Sequence, residues 1–380
     1  MHVSSLYIYP VKACKGCEVP RAVVETTGFP YDRYWMIVTE AEGRFVTQRQ
    51  DARLALIGTQ LPQDACILGS QGHPDPKAAL TLSGPDMPDV QVPLQPKSDS
   101  AWRNVRCHDW KGDAIDEGNE VAEWLSKFLQ QRVRLVKYGG VPGSAGLHED
   151  SHRRSSAKGW YTGGQSETAF SDAFPFLVTC QASLHDLNTH LDIPISMNRF
   201  RPNIVLDGEQ PAWAEDQWGN CNICVRTQEE TAVDLEMCKP CSRCTVPLVE
   251  QETAEKGSQP ILAMKDFRLG KHLGFDKFGK YADTPVYRGG AVNNTTFFGW
   301  DAVPVQLGSV IAVGDAVTVK GGNAALAYDA VTDRTSVVQQ WFLLLSLRDA
   351  AALCTLLVVT ITASWLAYSF THGASYNPST

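Results

Sequence analysis

The sequence predicts a mostly β, α+β protein: an N-terminal β-barrel-like domain, a second β domain, and a single transmembrane helix at the C-terminus. Three observations predict it. Short runs of alternating apolar and polar residues, parted by turn residues, fill roughly the first hundred positions. Only two stretches carry a clear helical period, near 119–131 and 181–191. Ala350 to Phe370 is an uncharged run of about twenty residues, the length that crosses a hydrocarbon core as one helix.

Taken in order, Val3 to Val11 sets Leu6 and Ile8 on one face and Tyr7 and Tyr9 on the other, a strand with Pro10 near its end. Lys12-Ala13-Cys14-Lys15-Gly16 follows as a loop with two ammonium groups. Val19 to Thr26 alternates again, and Thr27-Gly28-Phe29-Pro30 turns the chain. Tyr34 to Thr39 and Arg44 to Thr47 read as a hairpin closed at Glu42-Gly43. Leu54 to Gly58 and Ala79 to Leu82 read as further strands. In the first helix Val121, Trp124, Leu125, Phe128 and Leu129 share one face. Arg132 to Val136 is a short strand, and Gly139 to Gly164 has no period and marks a boundary. The second helix turns Leu184, Leu187 and Leu191 inward. Strands return at Asn203 to Leu206, Asn222 to Arg226 and Val233 to Met237. Gln251 to Asp283 is polar and loops out, and Val310 to Val319 closes with strands around Gly314-Asp315. The domain limits are then 1–138, a loop at 139–165, 166–320, a linker at 321–349 and the apolar tail at 350–370.

A net charge of -8 with no basic run argues against nucleic acid as a partner. The 11 cysteines are an odd number and no signal peptide is visible, which points to a reducing compartment with cysteines as ligands or buried thiols. Arg348 and Asp349 mark the inner edge of the apolar tail, so it reads as a tail anchor with the main body on the cytosolic side of the mitochondrial outer membrane or endoplasmic reticulum. A buried or partner-binding helix, or a tail from a misread gene, are the competing readings.

The densest chemistry lies in Cys238-Lys239-Pro240-Cys241-Ser242-Arg243-Cys244-Thr245, expected as a loop after the strand of Val233, Leu235 and Met237. Thiolates suit soft metals, and an arginine beside them suits an anion. Cys221-x-x-Cys224 with Cys238-x-x-Cys241 has the spacing of a zinc ribbon, but Cys224 falls mid-strand without a glycine knuckle. Cys238-x-x-Cys241-x-x-Cys244 hints at an iron–sulfur cluster but lacks a fourth ligand. Buried inert thiols are the plain alternative. One strand upstream lies a second basic knot, Asn198-Arg199-Phe200-Arg201-Pro202-Asn203. The two stretches are expected to close on one anionic, metal-bearing cofactor.

Several collinear stretches resemble the MOSC-domain family, the molybdenum cofactor sulfurase C-terminal domain with its N-terminal β-barrel partner. They are Tyr9-Pro10-Val11-Lys12, Asp32-Arg33-Tyr34-Trp35, Val46-Thr47-Gln48-Arg49-Gln50, Phe170-Ser171-Asp172, Pro175-Phe176-Leu177, Asn198 to Ile204, Ala214-Glu215-Asp216-x-Trp218 and Cys241-Ser242-Arg243-Cys244. Within that family the chain is most similar to the amidoxime-reducing branch, over about residues 1–320. The resemblance implies a MOSC β-barrel as the second domain and a molybdenum cofactor, with Cys244 as the metal ligand. It implies cofactor contacts from Lys12, Arg33, Arg201, Asn203, Ser242 and Arg243. It implies reduction of N-hydroxylated compounds such as amidoximes and hydroxylamines, and of nitrite. The chain has neither a Gly-x-Gly-x-x-Gly nor a Walker motif, so electrons are expected from a b-type cytochrome and its flavin reductase.

The chain departs from the family pattern at Ala13, which replaces a serine, and at Ala173-Phe174, which replaces Thr-Ser. In Phe298-Gly299-Trp300-Asp301 an aspartate stands in a tyrosine position, and Asp301 is the expected proton source. The lost hydroxyls favour a second reading, a non-catalytic carrier of the cofactor or of sulfur. No pyridoxal-binding desulfurase domain accompanies it.

Overall fold

The first strand, β1 (His2–Ile8), does not pair with the domain that follows it in sequence alone; its long edge pairs with a strand at Ile204–Asp207. This computed structural model describes residues 1–70, 75–95, 100–140, 154–157, 166–219, 221–227, 231–275 and 288–321. Residues Met1–Asn323 form one compact unit. The apolar run at 350–370 and the linker from 322 onward lie outside the described residues, as does most of the loop at 139–165. Among the described residues no helix is long and apolar enough to cross a membrane.

After β1 come β2 (Cys17–Val19), β3 (Arg21–Val23), β4 (Trp35–Thr39), β5 (Gly58–Gln60), β6 (Ala79–Gly84), β7 (Met87–Pro93), β8 (Trp102–Cys107), β9 (Trp110–Asp116) and β10 (Val133–Tyr138). Of these, β4-β10-β9-β8 form one sheet and β5-β6-β7 a second, while β2 pairs with β1 and β3 with a strand at Val310–Ala312. Helix α1 (Ala65–Leu68) is one turn. Helix α2 (Asn119–Leu129) covers these sheets because Val121, Trp124, Leu125 and Leu129 fall on one face and are buried. Burying each such side chain stabilises by about 1.5–3 kcal/mol. The turn expected at Glu42-Gly43 forms, with the Gly43 N–H donating to Thr39 O and Val38 bridging Phe45.

The second half contributes β11 (Phe176–Cys180), helix α3 (Gln181–Thr189), β12 (Ile204–Asp207), β13 (Asn222–Arg226), β14 (Ala232–Ser242), helices α4 (Ile261–Phe267) and α5 (Gly270–Leu273), then β15 (Phe297–Pro304), β16 (Val310–Ala312) and β17 (Ala316–Lys320). The order β12-β11-β15-β14-β13-β17-β1, closed by β1 on β12, makes a seven-strand barrel. The first strand of the chain is thus a stave of the second barrel, although the sequence groups it with residues 1–138. The remainder of the N-terminal part is a half-barrel.

Three local expectations change. Leu54 to Gly58 is not a strand: Asp51 accepts the Arg53 N–H at 3.0 Å and caps a 3-10 turn at Ala52–Leu56, so extended structure starts only at Gly58. The cysteine-rich stretch is not a free loop, since β14 carries the chain through to Ser242 with irregular register at Met237/Lys239 and Pro240/Ser242. Such bulges accommodate Pro240 in a strand. Strand β15 is buried on both faces, and so shows no alternation for sequence reasoning to detect.

Gly299 in β15 has φ +72°, and a Cβ there would stand 2.7 Å from the Val178 carbonyl oxygen and 2.7 Å from Thr179 Cγ2. Gly299→Ala is expected to lower stability by at least ~1 kcal/mol, read from the urea midpoint. Glu215 is fully buried and accepts from Ser183 Oγ at 2.8 Å. Burial, then the nearby Asp216 charge, push its carboxyl up from 4.5 to about 7. The proton is held more tightly in the fold than in the unfolded chain, so this stability is present below about 4.5 and is lost as pH rises through about 7. Unfolding measured across that range should show the loss in the native protein, and Glu215→Gln should flatten it.

Candidate active site at the junction of the Cys-Ser-Arg-Cys stretch and the basic knot

The two stretches singled out by the sequence meet. Arg243, just past the end of β14, donates from Nη2 to the Phe200 carbonyl at 2.8 Å, and its backbone N–H donates to Thr296 O. Phe200 is fixed from behind by Phe298 of β15, whose ring stacks on it at 3.8 Å and 7°. Arg199 locks the other side: its guanidinium donates to Pro247 O and Gln259 O and pairs with Glu250. The segment just after Cys244 is thereby tied to the basic knot by a residue the sequence reading quoted without a role.

The two cysteines of the motif differ. Cys241 is partly buried, receives Arg243 Nη1 at 3.1 Å and lies beside Asp301; desolvation, reinforced by the Asp301 charge, pushes its thiol up to about 12. Cys244 is exposed, with the Val246 N–H donating to its Sγ at 3.5 Å. Of the pair, Cys244 is the thiol open to a ligand. Cys221, Cys224 and Cys238 are buried. Among the described residues no three His, Cys, Asp or Glu side chains gather as a metal site, so the paired Cys-x-x-Cys spacing does not assemble a zinc ribbon.

The remaining expected residues divide into two corners. In the first, the Arg33 and Arg201 guanidinium carbons each lie 4.3 Å from the Tyr9 ring centroid. Arg33 pairs with the buried Asp32 and donates to Asn203 Oδ1 at 3.0 Å and Arg201 O at 3.2 Å. Arg201 donates from Nη1 to Cys14 O at 2.7 Å. Burial holds its guanidinium down to about 10, which keeps it cationic at neutral pH. Ala13, Arg33 and Arg201 all adopt left-handed backbone, at φ 69°, 52° and 58°. Each such residue costs about 1–2 kcal/mol. Strain of this kind collects at functional sites. Asn203 is already engaged: Oδ1 also accepts the Leu177 N–H, and Nδ2 donates to Tyr7 O. It clasps strands together as much as it faces a ligand.

In the second corner Lys12 is buried, donates to Phe170 O at 2.7 Å and pairs with Asp172. His108 Nε2 lies 3.1 Å from the same carboxylate. Lys12, followed by His108, holds the Asp172 carboxyl well below the usual range. The Asp172 turn hangs on Arg154, whose buried guanidinium donates to the carbonyls of Ala169, Ser171 and Asp172. Neither His108 nor Arg154 carried a sequence signal; both act through a fold that brings distant turns together. Asp301, the expected proton source, sits in β15 with its carboxylate 2.7 Å from the buried Lys239 ammonium, its register partner in β14.

A molybdenum pyranopterin needs a soft ligand, donors for phosphate and donors for a heterocycle edge. The residues present fit that demand. Cys244 supplies the thiol, and Arg201 Nη2 and Arg243 Nε are buried donors with no acceptor among the described residues, as is the Tyr9 hydroxyl. Buried donors of this kind are rare unless a ligand or water meets them. Iodoacetamide applied to the cofactor-free protein at neutral pH is expected to modify Cys244 well before Cys241; equal labelling, resolved by peptide mass, would contradict the assignment.

Both domains match known families. Residues 1–132 match the MOSC N-terminal beta barrel domain and residues 165–318 match the MOSC domain. The chain is 33% identical over 273 residues to mitochondrial amidoxime-reducing component 1 of Mus musculus, covering 70% of this chain and 71% of that protein. It is 31% identical to mitochondrial amidoxime reducing component 2 of Homo sapiens, over 70% of this chain and 72% of that one. Against component 1 of Xenopus laevis it is 32% identical, over 75% of this chain and 81% of the other. Similarity thus runs along both domains, and the chain belongs to the MOSC family as a distant relative of the mitochondrial amidoxime-reducing components.

Proposed function

We propose that the protein holds a molybdenum cofactor and reduces N-hydroxylated compounds, amidoximes and hydroxylamines among them. The observation that carries this reading is an accessible thiol, Cys244, next in sequence to Arg243, whose guanidinium reaches the basic knot at the Phe200 carbonyl, with a buried donor on Arg243 and another on Arg201 unmet among the described residues. The relatives, amidoxime-reducing components, supply the reaction class. When bound, the cofactor would supply a two-electron redox centre. Overall, an N–OH group takes up two electrons and two protons and becomes N–H and water.

The chain's own residues do the holding. Cys244 binds the metal through sulfur, the ligand chemistry soft metals select. Arg201 and Arg243 take the phosphate and pterin edge with charge-assisted hydrogen bonds, each about twice as strong as a neutral one. Ser242 offers a hydroxyl beside them. Arg33 orients Arg201 through its backbone carbonyl and through the Tyr9 ring they share. Lys12 has three N–H donors and spends two on Phe170 O and Asp172, which leaves one for an anion. Asp301, clasped by Lys239, is the proposed local proton source.

Two measurements test this. Protein from a host that makes the cofactor should contain about one molybdenum per chain and reduce benzamidoxime with reduced viologen; Cys244→Ala should abolish turnover. Stoichiometric zinc without molybdenum would refute the reading. Asp301→Asn strands the buried Lys239 ammonium and should lower stability by about 3 kcal/mol. A pH–rate profile left unchanged in that variant would assign the proton to solvent instead.

A further inference from the structure

Arg268, just past the end of α4, is only 1% exposed. A buried guanidinium needs an anion beside it. Asp216 supplies one, accepting from Nη1 at 2.6 Å and from Nη2 at 2.8 Å as a bidentate pair. Asp216 belongs to the Ala214-Glu215-Asp216-x-Trp218 string and sits on a 3-10 turn at Ala214–Gln217. The remaining donor, Nε, goes to the Phe297 carbonyl at 3.2 Å, and the Phe297 N–H donates back to Arg268 O. The start of β15 is thus clamped to Arg268 by side chain and backbone together.

Two routes lead from this clamp to Arg243. Along the backbone, Phe297 pairs with Ser242, and the neighbouring Thr296 carbonyl accepts the Arg243 N–H at 2.8 Å. Through the rings, the Arg268 guanidinium carbon lies 3.9 Å from the Trp213 centroid, and Trp213 meets Phe298 edge-on at 5.6 Å and 90°. Phe298 stacks on Phe200 at 3.8 Å, and Phe200 receives Arg243 both at its carbonyl and over its ring. Trp213 is pinned as well: its N–H donates to Ser183 Oγ at 2.8 Å and its Nε1 to Asp186 at 2.6 Å.

We propose that Arg268 is a positioning residue: held by Asp216, it fixes the start of β15 and the Trp213–Phe298–Phe200 column, and so keeps Arg243 where it grips the anionic group of the cofactor. The inference rests on the reading of Arg243 given above. Arg243 has no carboxylate in a salt bridge among the described residues, so Phe200 and the Thr296 carbonyl set its direction. A long side chain held in place beforehand gives up less freedom on binding. An arginine suits the clamp where a lysine would not. Lysine keeps the charge beside Asp216 but has no planar fork to reach the Phe297 carbonyl and lie on the Trp213 ring.

The test uses holoprotein from a host that makes the cofactor, and follows loss of molybdenum and pterin from the chain during repeated gel filtration. Arg268→Lys should speed that loss about tenfold. In an Arg243→Gln background the same substitution should add nothing to the rate, while lowering the urea midpoint as much as it does in the native background. Beside Lys12→Gln, in the other corner, it should keep its full effect. A clamp that only stabilises the fold would speed the loss by one factor in every background, and that result, or no change at all, overturns the proposal. Phe298→Leu removes the ring behind Phe200 and leaves the Arg268–Asp216 pair in place. It should follow the same pattern, and it decides the matter if Arg268→Lys does not fold. If native protein carries no molybdenum, the reductase reading falls, and inorganic phosphate titrated into the same chains decides the clamp alone. Weaker phosphate binding in Arg268→Lys, confined to chains that keep Arg243, supports it; equal binding, or none to native protein, overturns it. The same titration serves if Arg243→Gln is isolated empty.

Discussion

One side-chain amide joins the barrel to the candidate site. Asn203 Oδ1 accepts both the Leu177 N–H and Arg33, while Nδ2 donates to Tyr7 O. Those three partners belong to β11, to the loop before β4, and to β1. A buried amide with unmet groups would cost about 1–3 kcal/mol. The three segments therefore have to arrive together or not at all. Once they do, Arg33 is aimed at Tyr9, Tyr9 is flanked by Arg201, and the strained backbone at Ala13, Arg33 and Arg201 is held. The site inherits its shape from barrel closure.

The charges at the site follow a consistent division. Lys12, Arg33 and Lys239 are each matched to a carboxylate, at Asp172, Asp32 and Asp301. Among the described residues Arg201 and Arg243 have no carboxylate in a salt bridge; they bond to carbonyl oxygens and a sulfur and lie over aromatic faces, with Nη2 of one and Nε of the other unmet. Burying a cation without an anion is costly. Here the cost is borne beside the one exposed thiol of the motif. Positive charge without a salt-bridge partner among the described residues is thus gathered at the candidate site.

Much of this was legible from the sequence, and for a physical reason. Cys241 to Cys244 and Asn198 to Asn203 are local strings whose chemistry is written in residue type, and they do converge through Arg243 and Phe200. Helix α2 and strand β13 announced themselves by period. Strand β15 did not, because both its faces are buried. Arg154 was hidden in a stretch that looks like a linker, and His108 in a hairpin tip; each matters only through turns distant in sequence. Long-range pairing, above all β1 with β12, leaves no mark in a single chain's local pattern.

That pairing shapes how the chain can be made. As residues emerge one after another, β1 has no barrel to join until β12 and β17 exist. Its edge must wait through the synthesis of the entire half-barrel, a non-local closure of the kind that folds slowly. Until then its hydrogen-bonding groups outside the Leu6–Ile8 pairing with β2 are open to wrong partners. The half-barrel can condense during translation around α2, whereas the seven-strand barrel is a late event that needs both ends of the unit. A nascent chain stalled before β17 would carry every candidate site residue named here and still lack the closed vessel that arranges them.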